Sequence, residues 1–214
     1  MPKSEHISMS VIRRLPRYYR FLSELQNNGI VRISSRELAQ RMGLTASQIR
    51  QDLNCFGGFG QQGYGYLVKY LHMEIGNILG LNNVYSTILI GAGNLGRAVA
   101  THISFEQRGF ELTAIFDRSK RIVGHKIRHL VVQDIETLTA YCKEHNPTVA
   151  VLCLPKDSVE DLSDCLYQNG LRFFWNFSHY DLTMKYDDVV VENVHLSDSL
   201  LTLCYQISNC EPKE

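Results

Sequence analysis

The chain has 214 residues, enough for one or two domains, and its 44% hydrophobic and 21% charged residues are ordinary for a globular protein. No apolar run approaches the roughly 18–20 residues that cross a bilayer, and the N-terminus lacks a signal-peptide core. We therefore expect a cytoplasmic protein with no membrane partner. The net charge of zero hides an asymmetry, because residues 1–82 hold ten Lys and Arg against five Asp and Glu, whereas residues 83–214 hold twelve against seventeen. A basic first part is typical of proteins that meet a polyanion.

The first helical pattern covers residues 11–26. Its apolar positions recur every three or four residues, and arginines that include Arg14 and Arg17 lie between them. Asn27-Asn28-Gly29 marks its end.

Two short helices joined at Gly43 are predicted next. Ser34 or Ser35 can cap the first, which ends near Met42, and Thr45 caps the second with Gln48 as its capping-box partner. This is the helix-turn-helix pattern, in which the second helix enters the major groove of DNA. An ordinary helical hairpin is the alternative. If the helix reads DNA, glutamine suits adenine and arginine suits guanine, and the candidates are Ser47, Gln48 and Arg50.

Residues 56–66 contain five glycines and four aromatic residues. This composition fits a β-hairpin wing whose tip lies along a minor groove. A phosphate-binding loop is the alternative, but the segment lacks the Lys-Ser/Thr pair of a P-loop. A helix over residues 67–79 and a linker at residues 80–83 complete this part.

Residues 88–117 carry the pattern of a dinucleotide site. An apolar strand leads into Gly91-Ala92-Gly93-Asn94-Leu95-Gly96, a helix follows, and a second strand ends at Asp117, 21 residues after Gly96. Gly91 permits the tight turn, Gly93 lets a pyrophosphate approach the backbone, and Gly96 lets the helix pack on the sheet. A carboxylate at position 117 favours NAD(H) over NADP(H). The alternative is an ordinary α/β turn with an incidental acid; Arg118 either stacks on adenine or is solvated.

The rest of the chain alternates strands and helices, which predicts a doubly wound parallel sheet. Strands are expected at residues 130–132, 148–154, 173–176 and 189–192, and helices at residues 135–144 and 157–168. Because ligands bind at the carboxyl ends of such strands, Leu154-Pro155 and residues 176–178 are expected near the nicotinamide. Structural turn chemistry is the alternative for both segments. A final helix over residues 196–207 is apolar on more than one side, which fits a helix exchanged in a dimer; a helix packed in its own core is the alternative.

The cysteines show no metal-binding pattern. None forms C-x-x-C, and none accompanies a histidine pair at ligand spacing. We expect no metal and reduced thiols, with redox sensing by Cys55 as the alternative.

With both parts in view, the chain resembles the Rex family of bacterial redox-sensing transcriptional repressors over nearly its whole length. The resemblance rests on Arg14-Leu15-Pro16, Tyr19-Arg20, Ile33-Ser34-Ser35, Glu37-Leu38-Ala39, Gln48-Ile49-Arg50-Gln51-Asp52-Leu53, Phe56-Gly57, Phe59-Gly60, Gly63-Tyr64-Gly65-Tyr66, the glycine turn, Trp175-Asn176-Phe177 and Glu192-Asn193-Val194.

The resemblance implies a homodimer without enzymatic activity. Residues 1–82 would form a winged helix, residues 83–194 a Rossmann domain that binds NAD+ or NADH, and residues 195–214 a swapped helix. It implies that NADH releases a palindromic operator, whereas NAD+ permits DNA binding. We then expect further DNA contacts from Arg14, Arg17, Ser34, Ser35, Thr45, Gln51, Gly60 and Tyr64.

Three residues depart from the family pattern. Gln51 replaces a lysine, His102 replaces a tyrosine near the nicotinamide, and His195 replaces an acid that can pair with an arginine matching Arg20. We hypothesise that His102 and His195 make the NADH response depend on pH. A low-polarity pocket that includes Phe105 is expected to favour the neutral nicotinamide ring.

Two other functions stay open. A small NAD-dependent dehydrogenase could use His179 as its general base, although no separate substrate domain fits in the chain. A DNA-binding regulator could instead sense another nucleotide, such as a coenzyme A derivative.

Overall fold

The computed structural model describes residues 7–61 and 64–210. The chain folds as two compact units, Met1–Asn82 and Asn83–Glu214. The predicted fold class is confirmed, since a winged helix-turn-helix precedes a doubly wound, mainly parallel sheet.

The first unit contains five helices and a small antiparallel sheet in its described part. The helices are α1 (Met9–Ile12), α2 (Leu15–Asn27), α3 (Ser35–Met42), α4 (Ala46–Asn54) and α5 (Val68–Ile78), and the strands are β1 (Arg32–Ile33), β2 (Gly60–Gln61) and β3 (Gly65–Leu67).

The continuous helix expected over residues 11–26 is wrong, because the chain breaks between α1 and α2. Pro16 lies in the first turn of α2. Proline has no amide hydrogen, and its ring would collide with the carbonyl four residues earlier in an unbroken helix. The helix therefore ends at Ile12 and restarts at Leu15.

The helix-turn-helix forms as predicted, with one difference at its second cap. The Ser34 hydroxyl accepts from the Glu37 amide at 3.1 Å, and Gly43 ends α3 with a φ of +62°. Thr45 Oγ1 accepts from the Gln48 amide at 3.1 Å. The reciprocal half of the predicted Thr45–Gln48 box is wrong, because Gln48 Nε2 donates to Asp52 Oδ1 at 2.7 Å. In the box, Gln48 Oε1 would accept from the Thr45 amide, whereas the bond that Gln48 donates to the Asp52 carboxylate is charge-assisted and therefore stronger.

The predicted wing is present. Strand β3 pairs antiparallel with both β1 and β2. Residues 62–63, at the predicted tip of the wing, lie outside the described residues. A Cβ atom at Gly60 would lie 2.8 Å from the Tyr66 ring, so this position needs glycine for the two strands to pack.

A buried carboxylate ties α2 to α4. Asp52 is 1% exposed and accepts from Arg14 Nε and Nη2 at 2.7 Å each and from the Tyr18 hydroxyl at 2.8 Å. Burial raises the pKa of Asp52, but the hydrogen bonds from Arg14, Tyr18 and Gln48 outweigh burial and lower the pKa below its ordinary value. The charged form of Asp52 therefore stabilises this unit.

The second unit is built on a seven-stranded sheet in the order β10-β9-β8-β4-β5-β7-β6. The strands are β4 (Tyr85–Ile90), β5 (Phe110–Asp117), β6 (Lys126–Ile127), β7 (Leu130–Asp134), β8 (Val149–Leu152), β9 (Phe173–Asn176) and β10 (Val190–Asn193). All neighbours pair in parallel except β6, an antiparallel edge strand that the sequence did not predict.

Three helices pack on the two faces of this sheet. Helices α7 (Leu138–His145) and α8 (Lys156–Gln168) share one core with it, whereas α6 (Asn94–His102) shares the other. A 3-10 turn occupies residues 135–137, where the sequence predicted α-helix, and β8 ends at Leu152 rather than 154.

The last helix, α9 (Leu196–Ser208), has no buried residue. All six cysteines are unpaired. In the described part of the chain, no helix is long and apolar enough to traverse a bilayer, and no three potential metal ligands cluster.

We predict that Asp52→Asn lowers the unfolding free energy of the first unit by about 3 kcal/mol at pH 7, at the low end for a broken buried pair because Arg14 is partly exposed. Since the pKa of Asp52 is lowered by folding, this contribution is complete above the ordinary carboxyl pKa of about 4 and disappears as the pH falls through the lowered pKa. Hydrogen exchange of the α4 amides measures the effect for this unit alone.

Exposed Glu24, replaced by glutamine, provides the control and is expected to change little. Equal protection of wild type and Asp52→Asn at pH 7 would show that the carboxylate does not hold α2 and α4 together.

Candidate nucleotide and DNA-binding sites

Gly91, Gly93 and Gly96 shape the turn between β4 and α6, each differently. Gly91 has a φ of +97°, and a Cβ atom there would lie 2.5 Å from the Cys153 carbonyl oxygen. A Cβ atom on Gly96 would collide with the Gly91 carbonyl. A Cβ atom on Gly93 would meet nothing within 4 Å. Gly91 and Gly96 therefore close the turn, whereas Gly93 leaves open space in front of it.

The N-terminus of α6 faces this open space without a side-chain cap. Gly93 is its N-cap residue, and Asn94 and Leu95 in its first turn are exposed. The first amides of a helix have no partner within the helix and carry a partial positive charge. Backbone donors that can receive a phosphate are thus available here.

Asp117 ends β5 beside the same turn and is 8% exposed. Its Oδ2 accepts from the Ala92 amide and its Oδ1 from the Ser119 amide, both at 2.7 Å. Sequence reasoning missed these two bonds, which fix the carboxylate against the turn. An ionised carboxylate offers about four acceptor positions, so capacity for sugar hydroxyls is left.

A cavity of about 160 Å³ adjoins Asp117. Its lining includes Ile90, Arg118 and Leu154, and Pro155 follows as the N-cap residue of α8. The structure thus brings Leu154 close to the acid that is predicted to bind ribose, and its expected contact with the nicotinamide stays a prediction.

Residues 176–178 form a saturated structural turn. Buried Asn176 donates from Nδ2 to the Tyr180 carbonyl and to Asn193 Oδ1, both at 2.8 Å. Its Oδ1 accepts from the amide and the hydroxyl of Ser178 at 3.0 and 2.7 Å. The side chain of Asn176 thus has the partners expected of turn chemistry, whereas the expected position of this segment near the nicotinamide stays a prediction.

Phe105 and His102 lie away from the glycine turn. Buried Phe105 packs edge-on against Trp175, with ring centroids 6.3 Å apart, and lines an apolar groove of about 540 Å³ on the α6 face of the sheet. That groove includes Tyr85 and Val149, which begin β4 and β8, whereas the turn is at the opposite ends of these strands. Exposed His102 ends α6, about 12 Å along the helix from Asn94.

His195 precedes α9 and stacks on His179, with centroids 5.2 Å apart and ring planes 2° from parallel. Its Nδ1 is buried and has no hydrogen-bond partner among the described residues. The hypothesis that His102 and His195 confer pH dependence stays a prediction.

In the first unit, the predicted DNA-contacting residues divide into two groups. Ser34 and Thr45 cap helices, Arg14 and Gln48 bind Asp52, and Arg17 donates to the Met42 carbonyl. Ser47, Arg50, Gln51, Gly60 and Tyr64 are exposed, and Arg50 Nη1 donates to the Ser35 hydroxyl at 3.2 Å. Exposed Asn54, which is not among the predicted contacts, lies one turn after Gln51 on the same side of α4.

We predict that Gly96→Ala lowers the unfolding free energy of the second unit by about 1–3 kcal/mol or more, because the added methyl group collides with backbone. Gly93→Ala is the matched control and should cost less, about 1 kcal/mol or below, since its methyl group enters open space and only the preference of the N-cap for glycine over alanine is lost. Thermal unfolding compares the two, and equal losses would contradict the geometry of the turn.

Comparison with known proteins matches both parts of the chain. The family model described as "Putative DNA-binding protein N-terminus" matches residues 6–54, and the model described as "CoA binding domain" matches residues 82–180. The Redox-sensing transcriptional repressor Rex of Clostridium botulinum is 52% identical over 211 residues, which cover 99% of this chain and 100% of that protein.

Two solved structures share the fold over nearly the full length. The crystal structure of RSP in complex with beta-NAD+ and operator DNA matches with a TM-score of 0.87 and 53% identity, covering 94% of this chain and 93% of that one. The crystal structure of RSP in complex with beta-NADH matches with a TM-score of 0.87 and 50% identity, covering 96% of each chain. With a helix-turn-helix unit, a glycine turn beside the acid that ends the next strand, and half of its residues shared over nearly the full length, this chain belongs to the Rex family of redox-sensing transcriptional repressors.

Proposed function

We propose that this chain is a redox-sensing repressor that binds a palindromic operator as a homodimer and is released when NADH binds. The observation that carries the proposal is its likeness, at 50–53% identity over nearly the whole chain, to structures that contain NAD+ with operator DNA and NADH. Both sites that such a protein needs have counterparts in the geometry of this chain.

The first unit supplies the DNA-binding surface. Its ten basic residues outnumber its five acidic ones, the exposed side of α4 carries Arg50 and Gln51, and the wing carries exposed Tyr64. In a helix-turn-helix dimer, two such helices enter major grooves about one helical turn apart. Phosphate contacts by arginine and lysine make this binding fall steeply with salt.

The glycine turn fits a dinucleotide. Gly93 and the first amides of α6 would hold the pyrophosphate, and Asp117 would accept the adenosine ribose hydroxyls. Ile90 and Leu154 supply apolar walls beside that carboxylate. The negative charge of Asp117 disfavours a 2′-phosphate, which supports NAD(H) over NADP(H). The nicotinamide ring is positively charged in NAD+ and neutral in NADH, and this difference is the signal to be read.

The α9 helix and the groove on the sheet support the homodimer. The groove is lined by apolar side chains, including Phe105, Trp175 and Val151, on a face that α6 covers only in part. In α9, one side presents an exposed apolar stripe of Leu196, Leu200, Leu203 and Ile207. We propose that α9 of each copy covers the apolar face of the other.

Catalysis is not part of the proposal. Homologues of this chain are named as transcriptional repressors. The candidate base, His179, stacks on His195, and the residues after Asp117 are used by the sheet and its helices. A coenzyme A derivative stays the alternative ligand, because the model matching residues 82–180 is named for coenzyme A.

We predict that NADH weakens binding to a palindromic duplex by about 5- to 150-fold, the usual range of allosteric coupling, whereas NAD+ leaves it tight. Fluorescence anisotropy of a labelled duplex, chosen by selection from a random pool, measures this effect. NADPH and acetyl-coenzyme A, titrated in parallel, should act only at higher concentrations.

Gly93→Val should abolish the NADH response, because its side chain fills the open approach to the turn. Thr101→Ala, an exposed change on the same helix, is the matched control and should respond as wild type does. If acetyl-coenzyme A released the DNA and NADH did not, a coenzyme A derivative and not NADH would be the ligand. Turnover of NAD+ with an alcohol or hydroxy acid would show that the protein is an enzyme.

A further inference from the structure

The exposed side of α4 is a single stripe of four residues: Ser47, Arg50, Gln51 and Asn54. The opposite side buries Ile49, Asp52 and Leu53 in the core of the first unit. The spacing i, i+3, i+4, i+7 is one that recognition helices use to reach base edges in the major groove. The stripe therefore defines which side chains α4 can offer to bases.

Gln48 lies beside this stripe but is already engaged. Its Nε2 donates to Asp52 Oδ1 at 2.7 Å, and Asp52 also binds Arg14 and Tyr18. Turning the Gln48 amide toward a base would remove one donor from a buried carboxylate. That loss and the gain from a base contact are of the same size, each about 5- to 150-fold in an equilibrium constant. A base contact by Gln48 would therefore not increase the affinity for DNA, because it would cost the hydrogen bond to Asp52.

Gln51 and Asn54 remain as amides that point away from the core. Neither side chain has a hydrogen-bond partner among the residues that the structure describes, whereas Arg50 is linked to Ser35. They are three residues apart, or about 4.5 Å along the helix axis, close to the rise of about 3.4 Å between base pairs. Side-chain amides recognise adenine through its N6 and N7 atoms.

We propose that Gln51 and Asn54 are the adenine-reading amides of α4 and select adjacent A·T base pairs, while Gln48 is a positioning residue. The inference rests on the proposed DNA-binding function and names its specificity. It reassigns Gln48, which sequence reasoning placed among the base contacts, and adds Asn54.

Selection by the full-length protein from duplexes with randomised half-sites tests this inference. Wild type should enrich A·T pairs at two neighbouring positions of each half-site. Gln51→Ala and Asn54→Ala should each lose about 5- to 150-fold of the preference at one of these positions. Gln51→Arg should shift the preference at its position to G·C, because guanidinium groups pair with guanine.

Gln48→Ala is the matched comparison on the same helix. It should weaken the protection of the α4 amides from hydrogen exchange but enrich the same bases as wild type. Unchanged enrichment in Gln51→Ala, Asn54→Ala and Gln51→Arg, with sequence-dependent binding intact, would overturn this inference alone. A wild-type protein that enriches no sequence would overturn the proposed function together with it.

Discussion

The helices of one copy do not cover both faces of the sheet, and the apolar surface that this leaves exposed is the main constraint on the second unit. Helices α7 and α8 cover one face, but on the other face α6 leaves Phe173 and Val190 exposed over an apolar groove. The chain also ends in a helix with no buried residue. Burying four leucine or isoleucine side chains contributes about 6–12 kcal/mol, which is comparable with the whole stability of a domain. In the proposed dimer, a second copy would provide what each copy lacks.

Association of two copies would also connect the DNA-binding helices with the nucleotide site. A two-fold dimer carries two α4 helices, which is what a palindromic operator requires. A ligand at the turn before α6 can alter DNA binding only if it prefers one arrangement of the two copies. His195, which stacks on His179, directly precedes α9, the helix that the proposed dimer exchanges. The dimer is thus the element through which the two sites would be coupled.

The parts of this molecule that depend on local sequence were predictable. Helix caps at Ser34 and Thr45 and the glycine turn at Gly91 follow from short patterns with a steric or hydrogen-bonding cause. The break before Pro16 follows from a local rule as well, but the strong apolar periodicity of residues 11–26 concealed it.

The parts that depend on partners distant in sequence were not predictable. Nothing local indicates that Arg14 bonds Asp52, 38 residues later, or that Asp117 accepts from the Ala92 amide, 25 residues earlier. Leu154 joins the cavity beside Asp117 only because β8 and β5 both flank β4 in the sheet. Such tertiary contacts determine the role of a side chain in a site. Composition and spacing therefore predicted where the candidate sites lie in the chain, but not the role of each residue.

Sedimentation equilibrium of the full chain at micromolar concentration tests the need for a second copy most directly. For the wild type we expect a particle of about 49 kDa, twice the 24.5 kDa of the chain. A variant with Leu200→Glu and Leu203→Glu in the apolar stripe of α9 should have a mass of about 24.5 kDa. Thr202→Glu, on the same helix outside the stripe, should sediment as wild type does. A monomeric wild type, or a double variant that stays dimeric, would show that α9 does not hold two copies together.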